Sequence, residues 1–436
     1  MRGFVWGAAT ASYQIEGAVT EDGRGPSIWD HFCSLPGRVY DGASGAIAVD
    51  HYHRYREDVE LLAGLGVDAY RFSIAWPRIF PDGHGKLEER GLDFYKRLLD
   101  CLEAKGIEPW ATLYHWDLPL ALEEAGGWRS RDTAYRFADY AQAVYRSLGD
   151  RIKSWITLNE PWCSAFLGHL VGEHAPGMKD ATAAYRALHG LLLGHGLALQ
   201  AFRHGGHAGR IGLTLNPFTH RAATPSAADA LAADWSWDRD FRMFFGPLTG
   251  KGYPQRHLDA LGIKLPVEAG DLDLIAGKLD FLGVNYYSEE LVASDPAAPE
   301  GFKKVPVSGA QTAMGWPIVP DGLGRLLRHI IAETGDLPLY ITENGAAFAD
   351  RPNADGSVND PQRIDYLRAH LHQVEQAVAD GLPIKGYFVW SLIDNFEWAH
   401  GYRYRFGVVH CDYATLRRQP KDSYSFYRDW IAASAS

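Results

Sequence analysis

Several common protein classes are excluded by what this chain lacks. Only four cysteines occur in 436 residues, and Cys33, Cys101, Cys163 and Cys411 form no C-x-x-C pair. Such spacing argues against a disulfide scaffold, a zinc ribbon or a redox dithiol, and fits a reducing compartment. No uncharged apolar run is long enough to span a bilayer. The first ten residues carry one basic side chain and no apolar core ahead of a small-residue cleavage site. No signal peptide is therefore expected, and the expected location is cytoplasmic. Basic charge is scarce: 43 Lys and Arg stand against 54 Asp and Glu, a net charge of −11, with no basic tract. Neither nucleic acid nor a membrane is expected as a partner. The G-x-G-x-x-G and G-x-S-x-G motifs are missing. Gly246-Pro-Leu-Thr-Gly250-Lys251 is one residue short of a P-loop, and His169-Leu-Val-Gly-Glu173-His174 is one residue too long for a metalloprotease pair. No cofactor and no metal are expected.

The chain is 46% hydrophobic, ample for a large core, and nothing reads as a linker, so a single domain over residues 1–436 is expected. Short apolar runs recur at Phe4–Ala9, Val67–Ile74, Glu108–Tyr114, Ser154–Leu158, Arg210–Leu215, Phe281–Tyr286, Pro338–Thr342 and Lys385–Trp390. Nearly continuous apolar runs are expected of parallel strands covered by helices. Helical spacing marks His53–Leu65, Gly91–Lys105, Thr133–Leu148 and Asp360–Asp380, each followed by Gly or ending one residue before it. Eight such units predict an α/β fold, a (β/α)₈ TIM barrel with long loops at the C-terminal face of the strands; a doubly wound open sheet is the alternative. Ser288–Pro320 and Phe348–Pro361 read as long irregular loops on the catalytic face.

Two glutamates stand out at strand ends. Ser154-Trp-Ile-Thr-Leu-Asn159-Glu160-Pro161 places one where an apolar run meets a proline, and Pro338-Leu-Tyr-Ile-Thr-Glu343-Asn344-Gly345 places another before a turn-forming Asn-Gly. They fall at the ends of the fourth and seventh strands, roughly opposite across the barrel mouth. Either alone could cap a strand or pair with an Arg. Two carboxyls aimed into one cavity oppose each other electrostatically. Glycoside hydrolysis gives such a pair a purpose, because one carboxyl must stay protonated while the other stays charged. Aromatics concentrate at the same face: Tyr114-His115-Trp116-Asp117, Trp162, Trp390 and Asp394-Asn-Phe-Glu397-Trp398. Flat rings for the C–H faces of a sugar, with Gln14, His115 and Glu397 for its hydroxyls, are what a sugar site needs.

These residues resemble glycoside hydrolase family 1 along essentially the whole chain. Phe4-Val-Trp-Gly-Ala-Ala-Thr-Ala-Ser-Tyr-Gln14-Ile-Glu16-Gly17 is similar to the family's N-terminal signature. Thr157-Leu-Asn-Glu-Pro is similar to its acid/base motif and Ile341-Thr-Glu-Asn-Gly to its nucleophile motif. Arg71-Phe-Ser-Ile-Ala-Trp-Pro, Tyr114-His-Trp-Asp-Leu-Pro and Asn285-Tyr-Tyr287 match in order. The resemblance implies a retaining β-glucosidase acting on small-molecule β-glucosides, with some galactoside or fucoside activity. A transglycosylating enzyme and a non-catalytic sugar-binding barrel are the alternatives. Glu160 would be general acid/base and Glu343 nucleophile, flanked by Arg71 and Tyr287. Gln14, His115, Trp116, Asn159, Asn285, Trp390, Glu397, Trp398 and Phe406 would hold the sugar, and Trp162, Asn216 and Trp316 would lie toward the leaving group. The charge on Glu343 is expected to raise the pKa of Glu160. A carboxylate at Glu397 is expected to repel 6-phosphorylated sugars.

Overall fold

A computed structural model describes residues 3–298 and 300–435. Eight strands, here β1 Val5–Ala9, β2 Ala69–Ser73, β3 Glu108–Tyr114, β4 Ser154–Asn159, β5 Arg210–Leu215, β6 Phe281–Asn285, β7 Leu339–Asn344 and β8 Ile384–Trp390, pair in parallel and in chain order. β1 returns to pair with β8, in register from Val5 with Gly386 to Ala9 with Trp390, so the sheet is a closed barrel and not the open alternative. The strands are largely apolar because both faces are buried, and every residue of β2, β4, β6 and β7, including the polar ones toward their C-terminal ends, is buried.

Helices cover the outside. His51–Leu65, Glu89–Ala104, Arg131–Leu148 and Pro361–Ala379 lie within two residues of the periodicity-based bounds. At the end of His51–Leu65 the chain turns on Gly66, whose φ of 75° is a left-handed conformation that glycine adopts without a Cβ clash. Ala181–His204, a 24-residue helix capped by the Asp180 side chain on the Ala183 amide, shows no clear apolar stripe. It is buried on most faces, so alternation with solvent is missing from its sequence. No helix among the described residues is long and apolar enough to cross a membrane.

The reading of Ser288–Pro320 as irregular needs correction. Glu289–Ser294 and Phe302–Val305 form an antiparallel pair, and the first also pairs in parallel with Thr219–Ala222, building a three-stranded sheet outside the barrel. Its strands are short and partly exposed, and the Pro- and Gly-rich connections mask their pairing in the sequence.

The inside of the barrel is plugged near its N-terminal end. Trp110, Phe281, Tyr340 and Phe388 meet with ring centroids 4.7 to 5.4 Å apart. The Arg210 guanidinium lies 4.6 Å from the Trp110 ring and donates to Glu108 at 2.8 Å. Gly7 makes room for the plug, since a Cβ there would stand 2.2 Å from the Phe388 ring. The opposite, C-terminal end is open.

Candidate active site

Above the plug lies a cavity of about 510 Å³, within the roughly 300–1,000 Å³ of small-molecule sites. The ends of the barrel strands furnish its walls, and Glu160 and Glu343 both face it.

The two carboxyls keep different company. Glu343, the fifth residue of β7, accepts from Arg71 Nη1 at 2.5 Å on Oε1 and from the Tyr287 hydroxyl at 2.5 Å on Oε2. Arg71 rises from β2 and is fully buried, and its other amino group donates to Asn159 Oδ1 at 2.6 Å. The Tyr287 hydroxyl keeps its proton, because burial and the Glu343 charge push its pKa far up. Glu343 is thus gripped from two sides by a cation and a phenol.

Glu160 follows β4 in a left-handed backbone conformation, φ 46°, which is costly for a residue with a Cβ and is held by its surroundings. Its amide donates to the Thr214 carbonyl at 3.0 Å. Asn285 Nδ2 donates to Oε1 at 2.6 Å and the Cys163 thiol to Oε2 at 3.1 Å. No cation is bonded to it, and its pKa is pushed up to about 8. Burial is the larger cause and the Glu343 charge the second, so the expected effect of Glu343 is present and desolvation adds the greater part. Near neutral pH Glu160 is mostly a neutral acid.

A hydrogen-bonded layer ties these groups together. Thr342 donates to Asn285 Oδ1 at 2.7 Å, and Asn285 also donates to Asn159 Oδ1 at 3.1 Å. Because Asn159 Oδ1 accepts, its Nδ2 donates, at 3.0 Å, to His115 Nε2. Burial and Arg71 depress the His115 pKa, so the ring is neutral and its proton lies on Nδ1, a buried atom with no protein partner. Gln14, on the short helix Ser12–Ile15, donates to Asn395 at 3.0 Å and the Phe396 carbonyl at 2.9 Å and approaches Glu397 at 3.5 Å, leaving its Oε1 unpartnered. Gln14, Arg71 and Asn159 stand behind the lining residues.

Aromatic walls complete this end. Trp116 and Trp398 also take positive φ, 77° and 50°, and their rings meet at 4.5 Å. Trp116 donates to the Asn159 carbonyl at 2.9 Å. Trp390 ends β8, and Phe406 lies 6.1 Å from both Tyr287 and Trp316. The segment carrying Glu397, Trp398 and Phe406 is anchored from below: Lys421 donates to Asp394 at 2.8 Å and Asp350 at 2.6 Å, and Arg405 to Asp394 at 2.7 Å, all buried or half-buried. Sequence reading named the Asp394 motif but not this anchor, because Lys421 and Asp350 are remote in the chain.

Glu397 differs from its expected state. Burial first, then the charges of Glu343 and Glu160, push it up to about 8. Below that pH it is largely protonated, so simple charge repulsion of a phosphate is not its main effect. Lys304 is the one Lys or Arg among the described lining residues, and it pairs with Glu290 at 2.5 Å. The sugar end therefore offers a phosphate no counter-charge.

Asn344-Gly345, read from sequence as a turn, plays another role. Asn344 is the last residue of β7, and it donates to the Tyr286 carbonyl at 2.7 Å and accepts from Tyr387 at 2.8 Å. Gly345 is outside the left-handed region; a Cβ on it would lie 1.7 Å from the Trp390 carbonyl oxygen. Close approach of β7 to β8, not a turn, demands glycine here.

Trp162, Asn216 and Trp316 line the same cavity. Trp162 donates to Asp240 at 2.8 Å and packs 5.3 Å from Phe218; Trp316 lies 5.5 Å from Tyr287. Asn216 directs its amide nitrogen to Cys163 Sγ at 3.4 Å. Phe218, Leu167, Val305, Pro306 and Met314 join them. Sequence reading missed these five: Phe218, Val305, Pro306 and Met314 belong to the outer sheet and its connections, and Leu167 to the π-helical segment Cys163–Val171 after β4.

Paired acids, one clamped by a guanidinium and one bonded to no cation, in an aromatic-lined barrel mouth define a (β/α)₈ glycoside hydrolase. The chain belongs to glycosyl hydrolase family 1, whose model matches residues 1–435. It is 48% identical over 431 residues to β-glucosidase A of Thermotoga maritima, covering 98% of this chain and 97% of that one. The solved family 1 β-glucosidase from Thermotoga maritima superposes with a TM-score of 0.97 at 47% identity, over 99% of this chain and 98% of that chain. A bifunctional β-D-glucosidase/β-D-fucosidase of Bifidobacterium breve is 44% identical over 460 residues, covering 99% of this chain and 98% of that one.

Proposed function

We propose that this chain is a retaining β-glucosidase, releasing terminal non-reducing β-D-glucosyl residues from aryl β-glucosides, cellobiose and short cello-oligosaccharides. Glu343 attacks the anomeric carbon, steered by Arg71 and Tyr287, while Glu160 gives its proton to the departing oxygen. The ester so formed removes the Glu343 charge. One cause of the raised Glu160 pKa disappears with it, and Glu160 can then take a proton from water in the second displacement. His115, Trp116, Asn285, Trp390, Glu397, Trp398 and Phe406 hold the sugar, with Gln14 and Asn159 bracing them from behind. A neutral Glu397 both donates to and accepts from its 4- and 6-hydroxyls. β-Fucosides, which lack the 6-hydroxyl, are further substrates, in keeping with the name of the Bifidobacterium breve relative. Non-phosphorylated sugars are preferred. The activity resides in one domain over residues 1–436, working in the cytoplasm, where the four free thiols remain reduced.

The observation that carries this reading is the contrast between the two carboxyls: Glu343 clamped by a guanidinium, Glu160 buried without a cation. Labelling with a slow 2-deoxy-2-fluoro glucoside followed by peptide mapping should find the sugar on Glu343. NMR of the first product should show the β-anomer; α-anomer released first overturns the proposal.

A further inference from the structure

Cys163 is not used by the mechanism above, yet it touches Glu160 twice. Its amide donates to the Glu160 carbonyl oxygen at 2.9 Å, closing the turn through Pro161, and its thiol donates to Oε2 at 3.1 Å. The sulfur in turn accepts from Asn216 Nδ2 at 3.4 Å. Cys163 opens the wide π-helical segment Cys163–Val171, a rare form of helix that is often found beside functional sites. It is buried, lines the cavity, and packs against a glutamate whose own backbone is strained.

We propose that Cys163 is a positioning residue for Glu160, fixing which oxygen carries the transferable proton and where it points. Asn285 Nδ2, a donor only, sits at 2.6 Å from Oε1 and makes the stronger of the two bonds, which favours the unprotonated oxygen there over Oε2 with its weaker thiol donor at 3.1 Å. The proton therefore lies on Oε2. The S–H fills one lone-pair direction of Oε2, so the O–H turns to the other, toward the departing oxygen of the substrate. A thiol suits this place because its bond is weak: a stronger donor would favour the charged carboxylate, lower its pKa and leave less of Glu160 protonated. Burial and the neighbouring carboxyl keep the thiol itself protonated, as a donor must be. Asn216, reaching the sulfur from the leaving-group side, holds the thiol rotor.

This inference rests on Glu160 being the acid/base, and the test separates the two claims. The pH profile of kcat/KM is measured for wild type, Cys163→Ala, Cys163→Val and Cys163→Ser, with phenyl β-glucoside and with 2,4-dinitrophenyl β-glucoside, which needs little acid assistance. Loss of the donor should move the alkaline limb up by about half a pH unit in Cys163→Ala and Cys163→Val alike. It should cut kcat/KM for the phenyl substrate about 5- to 10-fold through lost aim, with less than about a 2-fold change for the dinitrophenyl substrate. Cys163→Ser, which restores a stronger donor, should bring the limb to or below its wild-type position. The inference is overturned by unmoved limbs, or by equal losses on both substrates. Glu160→Ala serves as the control: if the alkaline limb survives in it, the acid/base assignment fails instead.

Discussion

At the sugar end of the cavity Arg71, Asn159, His115, Asn285 and Thr342 form one continuous hydrogen-bonded layer seated on barrel strands and their immediate ends. At the proposed leaving-group end Trp162, Phe218 and Trp316 make mainly ring contacts, and Phe218 and Trp316 lie in the outer three-stranded sheet's flanking connections. Polar groups locked in a dry layer tolerate little displacement, because each lost partner leaves another group unsatisfied. Apolar contacts are non-directional and accept many shapes. On the proposed function, the difference teaches where discrimination lies: the first end admits few sugars, the second accepts varied aglycones.

The comparison predicts effects independent of the aglycone at one end and dependent on it at the other. Glu343→Gly should lose at least about 10⁵-fold in kcat on every substrate. Added azide should restore turnover with an inverted glycosyl azide, identified by NMR; a retained azide would exchange the roles of the two acids. Glu397→Ala should cost about 10²–10³-fold in kcat/KM, equally for aryl glucosides and cellobiose, since it removes sugar contacts realised in the transition state. A loss confined to one aglycone would erase the distinction between the two ends. Trp316→Ala should cost only about 10-fold, seen mostly in KM, and unequally across a series of aglycones. Uniform loss would place Trp316 functionally with the sugar end.

The smallest effect concerns stability. Unfolded, Glu160 and Glu397 ionise near 4.5; folded, near 8. Between those values the folded state holds more protons, so stability should fall as pH rises through that window and level off above it. Melting temperatures at pH 5 and pH 8.5 should differ less in Glu160→Gln and in Glu397→Gln than in wild type. An unchanged gap would mean that these buried acids ionise as freely as in the unfolded chain.

All eight barrel strands were legible as apolar runs, and the two glutamates as an oddity at two strand ends, because local pattern and chain order determine both. Periodicity found helices with one wet face and missed Ala181–His204, which has little wet face to show. The outer sheet escaped because Phe302–Val305 finds its partner only across a turn, and Thr219–Ala222 only across dozens of residues. The protonation of Glu397 was misread for a related reason: a charge repels only while it exists, and burial beside two other acids is a property of three distant segments brought together. Gly345 looked like a turn signal; the neighbouring strand, invisible locally, supplied its real constraint.

The stack of Trp110, Phe281, Tyr340 and Phe388 makes the strand tube a cul-de-sac. Traffic has a single doorway, so departure follows a fixed queue: the aglycone leaves first and glucose after it. A glucose that lingers occupies the seat the next chain end must take. On the proposed function, the blind depth of that seat confines the enzyme to chain termini, one ring at a time.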